Sequence, residues 1–258
     1  MHGRVSTLLA ATAALIAAAM LALWALSLAL RDVSIVDVFW GLGFVLVAHY
    51  ARATTAGCTP RATLVTALVT VWGARLAVYL LWRNWGAGED YRYAAMRRRW
   101  GDRFAIASLA VVFGLQAVLM WIVSLPVHLA IASPAPTALG TLLVVTGLAF
   151  ESIGDLQLAR FKRDPANRGR VMDGGLWRYT RHPNYFGDTL VWWGLFAFAL
   201  TDPAHAWTVV GPLVMTYLLT RLSGVPLLER KLTRTRPAYA DYVARTSGFV
   251  PWPPRSPR

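Results

Sequence analysis

A single cysteine, Cys58, stands in 258 residues, which excludes an intramolecular disulfide framework and leaves no thiolate cluster for a metal. It is expected to be an incidental thiol in an outer loop. The five histidines, at positions 2, 49, 128, 182 and 205, show neither HExxH nor close paired spacing, so no metal site is expected. Glycines are present but not in nucleotide patterns. There is no GxSxG elbow and no GxxxxGK[ST] loop, and Gly41 and Gly43 lie in an apolar run without the later glycines of a dinucleotide fingerprint. Any nucleotide must be held by something other than a Rossmann fold or a P-loop. No Pro/Gly/Ser-rich linker or low-complexity tract divides the chain, which reads as one domain over 1–258. Acidic residues are scarce, 13 against 26 basic ones, for a net charge of +13. A nucleic-acid partner is not expected, because 56% hydrophobic residues leave little soluble surface on which to build such a domain.

The basic excess is local. Twenty of the 26 lysines and arginines fall in 83–103, 160–181 and 230–258, with net charges of +3, +5 and +6, and the rest of the chain sums to −1. Long apolar runs separate these stretches, which is the layout of a multi-pass membrane protein with one basic face. Seven spans can be placed, at about 8–30, 35–50, 63–82, 104–131, 137–158, 185–200 and 206–228. The first is too long for a signal-peptide core and is expected to remain in the mature protein. The fourth contains Pro126, expected to kink it. At 1.5 Å per residue the second and sixth need flanking turns to cross a hydrocarbon layer of roughly 30 Å. The fold class expected is therefore an all-α integral membrane protein of seven transmembrane helices. An odd number of spans and the positive-inside rule place the N-terminus outside and the C-terminus in the cytoplasm. Arg52 and Arg61, in the loop after span two, dissent by lying on the outer side.

Polar residues inside spans are costly against lipid and should turn inward. Arg75 and Tyr79, Glu151 and Asp155, and Asn184 and Asp188 are each four residues apart and share a helical face. Arg221 and Glu229 extend this polar seam, and Asp37 lies early in span two. Such faces either make ion pairs between helices or line a cavity reached from the basic side. The loop 161–181 reads FKRDPANRGRVMDGGLWRYTR. Its proline and glycines force turns, and Lys162, Arg163, Arg168, Arg170, Arg178 and Arg181 carry charge that suits phosphates or lipid headgroups. Tryptophans near the polar faces suit interfacial belts, with Trp72, Trp192 and Trp193 deep enough to shape a cavity for a planar lipid.

The run Gly175-Leu-Trp-Arg-Tyr-Thr-Arg-His-Pro-Asn-Tyr-Phe-Gly187-Asp188 is preceded by Asp155 and Phe161-Lys162 and followed by Glu229-Arg-Lys-Leu and Pro237-Ala-Tyr-Ala-Asp-Tyr242. This set resembles the steroid 5-alpha-reductase-like membrane family. Ser34-Ile-Val-Asp-Val-Phe-Trp-Gly41, Arg75-Leu-Ala-Val-Tyr-Leu80 and Glu89-Asp-Tyr-Arg-Tyr93 resemble its bacterial branch. The likeness covers roughly 34–253. It implies an intramembrane enzyme of the bacterial inner membrane that takes NADPH from the cytoplasm and reduces a carbon-carbon double bond conjugated to a ketone in a lipophilic substrate, a 3-oxo-delta-4 steroid being one candidate. Asn184 and Asp188 match an Asn and a Glu of the family's cofactor-contacting helix, and Asp155 matches an acid with the same duty. With the basic loop, the cofactor set becomes Asp155, Lys162, Arg168, Arg170, Tyr179, Arg181, His182, Asn184, Asp188 and Glu229, and the polar segments at about 83–103, 160–188 and 229–253 are expected to face the cofactor. Asp37, Trp40, Trp72 and Tyr79 are the substrate residues, with Tyr79 and Asp37 as candidate catalytic groups.

The chain departs from the family where the substrate carbonyl is held. No Gln-Glu pair lies near Asp37, and Trp72 stands where the family has a tyrosine. The Arg-His-Pro-Asn-Tyr core is also shared in outline with isoprenylcysteine carboxyl methyltransferases, so an S-adenosylmethionine-dependent methyltransferase acting on a lipid-like or prenylated substrate is the alternative. A noncatalytic scaffold or a transporter is a third reading. Membrane lipids and a lipophilic small molecule are the expected partners, and no obligate protein partner is implied.

Overall fold

The computed structural model describes residues 2–56, 59–132, 138–222 and 224–255, and among them every regular element is helical. Cys58 and the connection 133–136 lie outside the described residues. The helices are α1 His2–Leu30, α2 Ile35–Ala51, α3 Pro60–Asn84, α4 Tyr91–Trp100, α5 Phe104–Ser108, α6 Leu115–Ala132, α7 Ala138–Arg163, α8 Pro183–Ala199, α9 Val210–Tyr217, α10 Val225–Thr235 and α11 Tyr239–Arg245. Five helical stretches are long and apolar enough to cross a membrane: Val5–Leu30, Ile35–Thr54, Pro60–Asn84, Tyr91–Ala132 and Ala138–Arg163. The protein is thus all-α and largely membrane-embedded.

Local chemistry sets the helix ends. Thr59 accepts a hydrogen bond from the Ala62 amide at 3.1 Å, and Pro60 follows at the first helical position, where its missing N–H costs nothing. Asp90 caps α4 through the Arg92 amide at 2.9 Å, and Gly101 ends that helix at φ +50°. The sixth expected span is α8, 17 residues long. The seventh is interrupted. A 3₁₀ segment, Pro203–Val209, leads into α9, a wide π turn over Leu218–Leu222 follows, and α10 starts afresh at Val225. Gly224 marks the break: a Cβ there would lie 2.3 Å from the Leu219 carbonyl oxygen, so only glycine permits the chain's approach.

The chain forms two compact units, Met1–Pro136 with Phe198–Gly211, and Thr137–Ala197 with Pro212–Arg258. In the first, α2 and α3 cross at Gly41 and Gly73, where a Cβ on either would lie 2.4 Å from the other's carbonyl oxygen. The edge-on aromatic pairs Trp40–Phe44 and Phe44–Trp72, 5.2 and 5.6 Å between centroids, fill the core beside that crossing. α1 is fastened by donors placed in an otherwise apolar interface. Trp121 Nε1 donates to the Leu9 carbonyl, Trp24 Nε1 donates to the Ala105 carbonyl, each at 3.0 Å, and buried His128 pairs with Thr12 Oγ1 at 3.0 Å.

The second unit is organised by a glycine seam. Gly147 and Gly154 recur at seven residues on α7, and Gly187 and Gly194 do so on α8. A Cβ on Gly147 would lie 2.5 Å from the Gly187 oxygen, one on Gly187 would lie 2.5 Å from the Gly147 oxygen, and one on Gly194 would lie 2.9 Å from the Gly140 oxygen. The two backbones touch along two turns, as small residues allow where lipid supplies no hydrophobic drive. This contact aligns the polar faces of α7 and α8.

Candidate functional site

On α7 and α8 the structure joins two of the residues singled out by their spacing. Asn184 Nδ2 donates to Asp155 Oδ1 at 3.1 Å. A carboxylate only accepts, so this bond fixes which end of the amide faces Asp155 and directs the Asn184 oxygen the other way. That oxygen is buried and accepts no hydrogen bond from the described residues. An acceptor so placed has unspent capacity for a donor brought by a ligand. One turn on, Asp188 is buried and accepts from Trp192 Nε1 at 3.1 Å. Trp192 therefore orients an acid, rather than lining a cavity alone.

A second network sits where the loop enters α8. Glu229 Oε1 accepts from Arg181 Nε at 2.7 Å and from His182 Nε2 at 3.1 Å, so the histidine carries its proton on Nε2. His182 stacks on Tyr185, with ring centroids 5.6 Å apart and planes 8° apart. Arg181 also donates to the Thr246 and Val243 carbonyls at the end of α11, at 2.7 and 3.3 Å. Burial alone would raise the Glu229 carboxyl, but the His182 and Arg181 hydrogen bonds outweigh it and hold it at about 2 against an ordinary 4.5. Burial, then the Glu229 charge, pushes the Tyr239 phenol up to about 12.

This arrangement predicts an acid-sensitive stability. The folded state holds the Glu229 proton less tightly than the unfolded chain, so the contribution is complete above the unfolded value of 4.5 and is lost as pH falls through about 2. It is worth up to about 3 kcal/mol at neutral pH, less what solvent screens at a carboxylate left partly exposed. Glu229→Gln should unfold at lower temperature than the parent at pH 7, with the gap closing across that acid window. A gap independent of pH would show that the charge is not what holds the network.

The basic loop is spread out. Lys162, Arg168 and Arg170 are exposed, and the Arg170 carbonyl accepts a hydrogen bond from Arg236. Tyr179 is 44% exposed while its carbonyl accepts the Trp252 amide at 2.9 Å. The loop is pinned from below: Trp177 Nε1 donates to the Gly154 carbonyl at 3.0 Å, Gln157 Oε1 accepts the Leu176 amide at 3.0 Å, and buried Tyr242 donates to the Trp177 carbonyl at 2.6 Å. Gln157, Tyr239 and Tyr242 were not among the sequence candidates. Tyr239 and Tyr242 do stand in the Pro237-Ala-Tyr-Ala-Asp-Tyr242 run, where two aromatics three residues apart on a short helix signal one packed face.

Asp37, Trp40, Trp72 and Tyr79 lie in the first unit. Asp37, in the first turn of α2, accepts from Arg92 Nη2 and from Tyr93 Oη, each at 2.8 Å. Beside it, Ser34 Oγ accepts the Asp90 amide at 2.7 Å, and Glu89 takes Arg97 at 2.7 Å and the Val33 amide at 3.1 Å. The acid that spacing left isolated thus clamps the 89–93 segment to the start of α2. Trp72 is 0% exposed and packed on Phe44 as core. Tyr79 is half-buried, with Trp82 at 6.1 Å and the Arg83 guanidinium 5.7 Å from its ring. Among the described residues no three His, Cys, Asp or Glu side chains gather into a metal-binding group.

The family described as "Protein of unknown function (DUF1295)" matches residues 23–246. An uncharacterized protein of Schizosaccharomyces pombe is 23% identical over 264 aligned positions, which cover 89% of this chain and 75% of the yeast protein. No solved structure matches.

Proposed function

Because the chain belongs to the DUF1295 family of proteins of unknown function, its activity must be argued from its own residues, and we propose that it is an NADPH-dependent membrane reductase of a carbon-carbon double bond conjugated to a ketone in a lipophilic substrate. The observation that carries this reading is the Asp155–Asn184 pair with its buried, unspent amide oxygen, beside Asp188 held by Trp192. A nicotinamide carboxamide presents two N–H donors, the complement of that acceptor. Asp155 and Asp188 would repel phosphates, and so suit ribose hydroxyls or the amide. His182, Arg181 and Glu229 hold the start of α8, on which Asn184 is carried. When bound, NADPH supplies a hydride for the carbon beta to the ketone. The reduction is completed by a proton at the alpha carbon, delivered directly or through the enol formed at the ketone oxygen. The topology that goes with this reading has seven spans, α8 and the broken α9 region included, with the N-terminus outside and the basic side in the cytoplasm of a bacterial inner membrane.

The test is cofactor preference in detergent-purified protein. NADPH should bind saturably and S-adenosylmethionine should not; the opposite preference overturns the reading in favour of methyl transfer. Asn184→Ala and Asp188→Asn, verified as folded, should each weaken NADPH binding by about 10- to 100-fold, the loss of one or two buried hydrogen bonds. Unchanged affinity in both folded variants removes these residues from the site.

A further inference from the structure

The second unit carries a cleft of about 540 Å³ lined by Asp173, Gly174, Gly175, Arg178, Arg245, Thr246, Pro254 and Arg255. None of the residues of the proposed nicotinamide site is in its wall. Its three arginines come from three separate places: the loop before α8, the end of α11, and the C-terminal tail. The tail is laced down to put the last of them there. The Ser247 carbonyl accepts the Arg181 amide at 2.9 Å, the Phe249 carbonyl accepts Thr180 Oγ1 at 2.7 Å, the Trp252 amide donates to the Tyr179 carbonyl at 2.9 Å, and the Arg255 amide donates to the Arg245 carbonyl at 2.9 Å. Four bonds along nine residues fix a strand of chain that has no regular structure of its own.

Three guanidiniums face one carboxylate in this wall. Asp173 is committed to Arg245, while Arg178 and Arg255 make no side-chain hydrogen bond or ion pair with the described residues. Gly174 leaves its side of the wall open, with nothing within 4 Å of a Cβ there. Pro254 is the one apolar side chain in the lining, which does not suit a lipophilic substrate. Converging guanidinium forks beside bare backbone match the oxygens of a phosphate. We infer that this cleft binds a phosphate or pyrophosphate group, presented either by a soluble ligand or by an anionic lipid headgroup, and that the C-terminal tail exists in part to complete it.

Arg178→Gln with Arg255→Gln tests this without touching the fold, since neither side chain bonds the protein and the tail is held by main-chain groups of Arg255. The probe is inorganic pyrophosphate, titrated calorimetrically against the full chain in nanodiscs of phosphatidylcholine. The parent should bind at one saturable site, and the double variant should lose at least about 150-fold in affinity, the worth of two charge-assisted hydrogen bonds. Nanodiscs that also contain phosphatidylglycerol separate the two sources. Weakened pyrophosphate binding there, in the parent, identifies the headgroup as occupant, and unchanged binding identifies a soluble phosphate ligand. No saturable binding in phosphatidylcholine, or equal binding by parent and double variant, overturns the inference. Because the readout needs no nicotinamide, it can fail while the reductase reading stands, and the reverse.

Discussion

Gly187→Val is expected to abolish the folded second unit. A Cβ at this position would lie 2.5 Å from the Gly147 carbonyl oxygen and 2.7 Å from the Glu151 amide nitrogen, both backbone atoms of α7 that no side-chain rotation can move. The helices would have to separate by more than an ångström along the whole seam. Ordinary overpacking costs about 1–3 kcal/mol where side chains can yield, and here they cannot, so a loss above about 3 kcal/mol is expected. The same separation would pull Asp155 from Asn184, so any protein that survives should also have lost the cofactor binding proposed for that pair. Gly174→Ala, where a Cβ meets nothing within 4 Å, is the matched control and should be silent in stability. Size-exclusion profiles and thermal midpoints in detergent measure both. A Gly187→Val protein that is monodisperse with the parent's midpoint would show that α7 and α8 do not meet at this seam.

That seam was only half legible. The spacing of Glu151, Asp155, Asn184 and Asp188 predicted two polar helical faces, and the long apolar runs located the first three spans and the fifth to within about five residues, while the fourth begins at Tyr91 rather than near 104. The recurrence of glycine at 147, 154, 187 and 194 carries the reason those faces meet, yet in an apolar run a glycine is indistinguishable from any other small residue until its neighbour is known. Periodicity names a face; it does not name the partner. For the same reason Asp37 stood alone in sequence although Arg92 and Tyr93, more than fifty residues on, were quoted in the Glu89 to Tyr93 run. The interrupted seventh span is a different case. Hydropathy runs smoothly from 206 to 222, and the break depends on one close backbone approach at Gly224, which hydropathy does not register. Two of the three arginines of the cleft escaped because Arg245 and Arg255 look like ordinary basic flanks, and only the tail's hydrogen bonds bring them to Arg178.

Arg61, the charge that dissented from the positive-inside pattern, supplies the second large effect expected, and its environment explains the dissent. It is 6% exposed at the start of α3. Its Nε donates to the Ala130 carbonyl at 2.9 Å, Nη2 donates to the Phe198 carbonyl, and Nη1 reaches Thr201 Oγ1 at 3.3 Å, with the guanidinium carbon 5.5 Å from the Phe198 ring. Ala130 and Phe198 lie in the last turns of α6 and α8, where carbonyls have no intrahelical donor and carry the negative end of the helix dipole. One planar fork thus satisfies two helix ends at once. A topological signal needs a solvated charge near the membrane surface; this one is spent inside the first unit, so it carries no such signal. Arg61→Met fills similar space without donors; it leaves the Ala130 carbonyl without its Arg61 bond and the Phe198 carbonyl with the Thr201 hydroxyl alone, and a buried carbonyl left unpaired costs about 1–3 kcal/mol. The expected result is a loss of about 1–3 kcal/mol, read as a lowered thermal midpoint, while helix content at low temperature stays near that of the parent. Arg61→Lys should recover only part of it, because an ammonium is a point donor that cannot span two carbonyls and a hydroxyl from one stem. Full recovery by lysine would mean that charge alone matters there, and a stable methionine variant would mean that the two helix ends find other donors, either of which would remove Arg61 as the clamp.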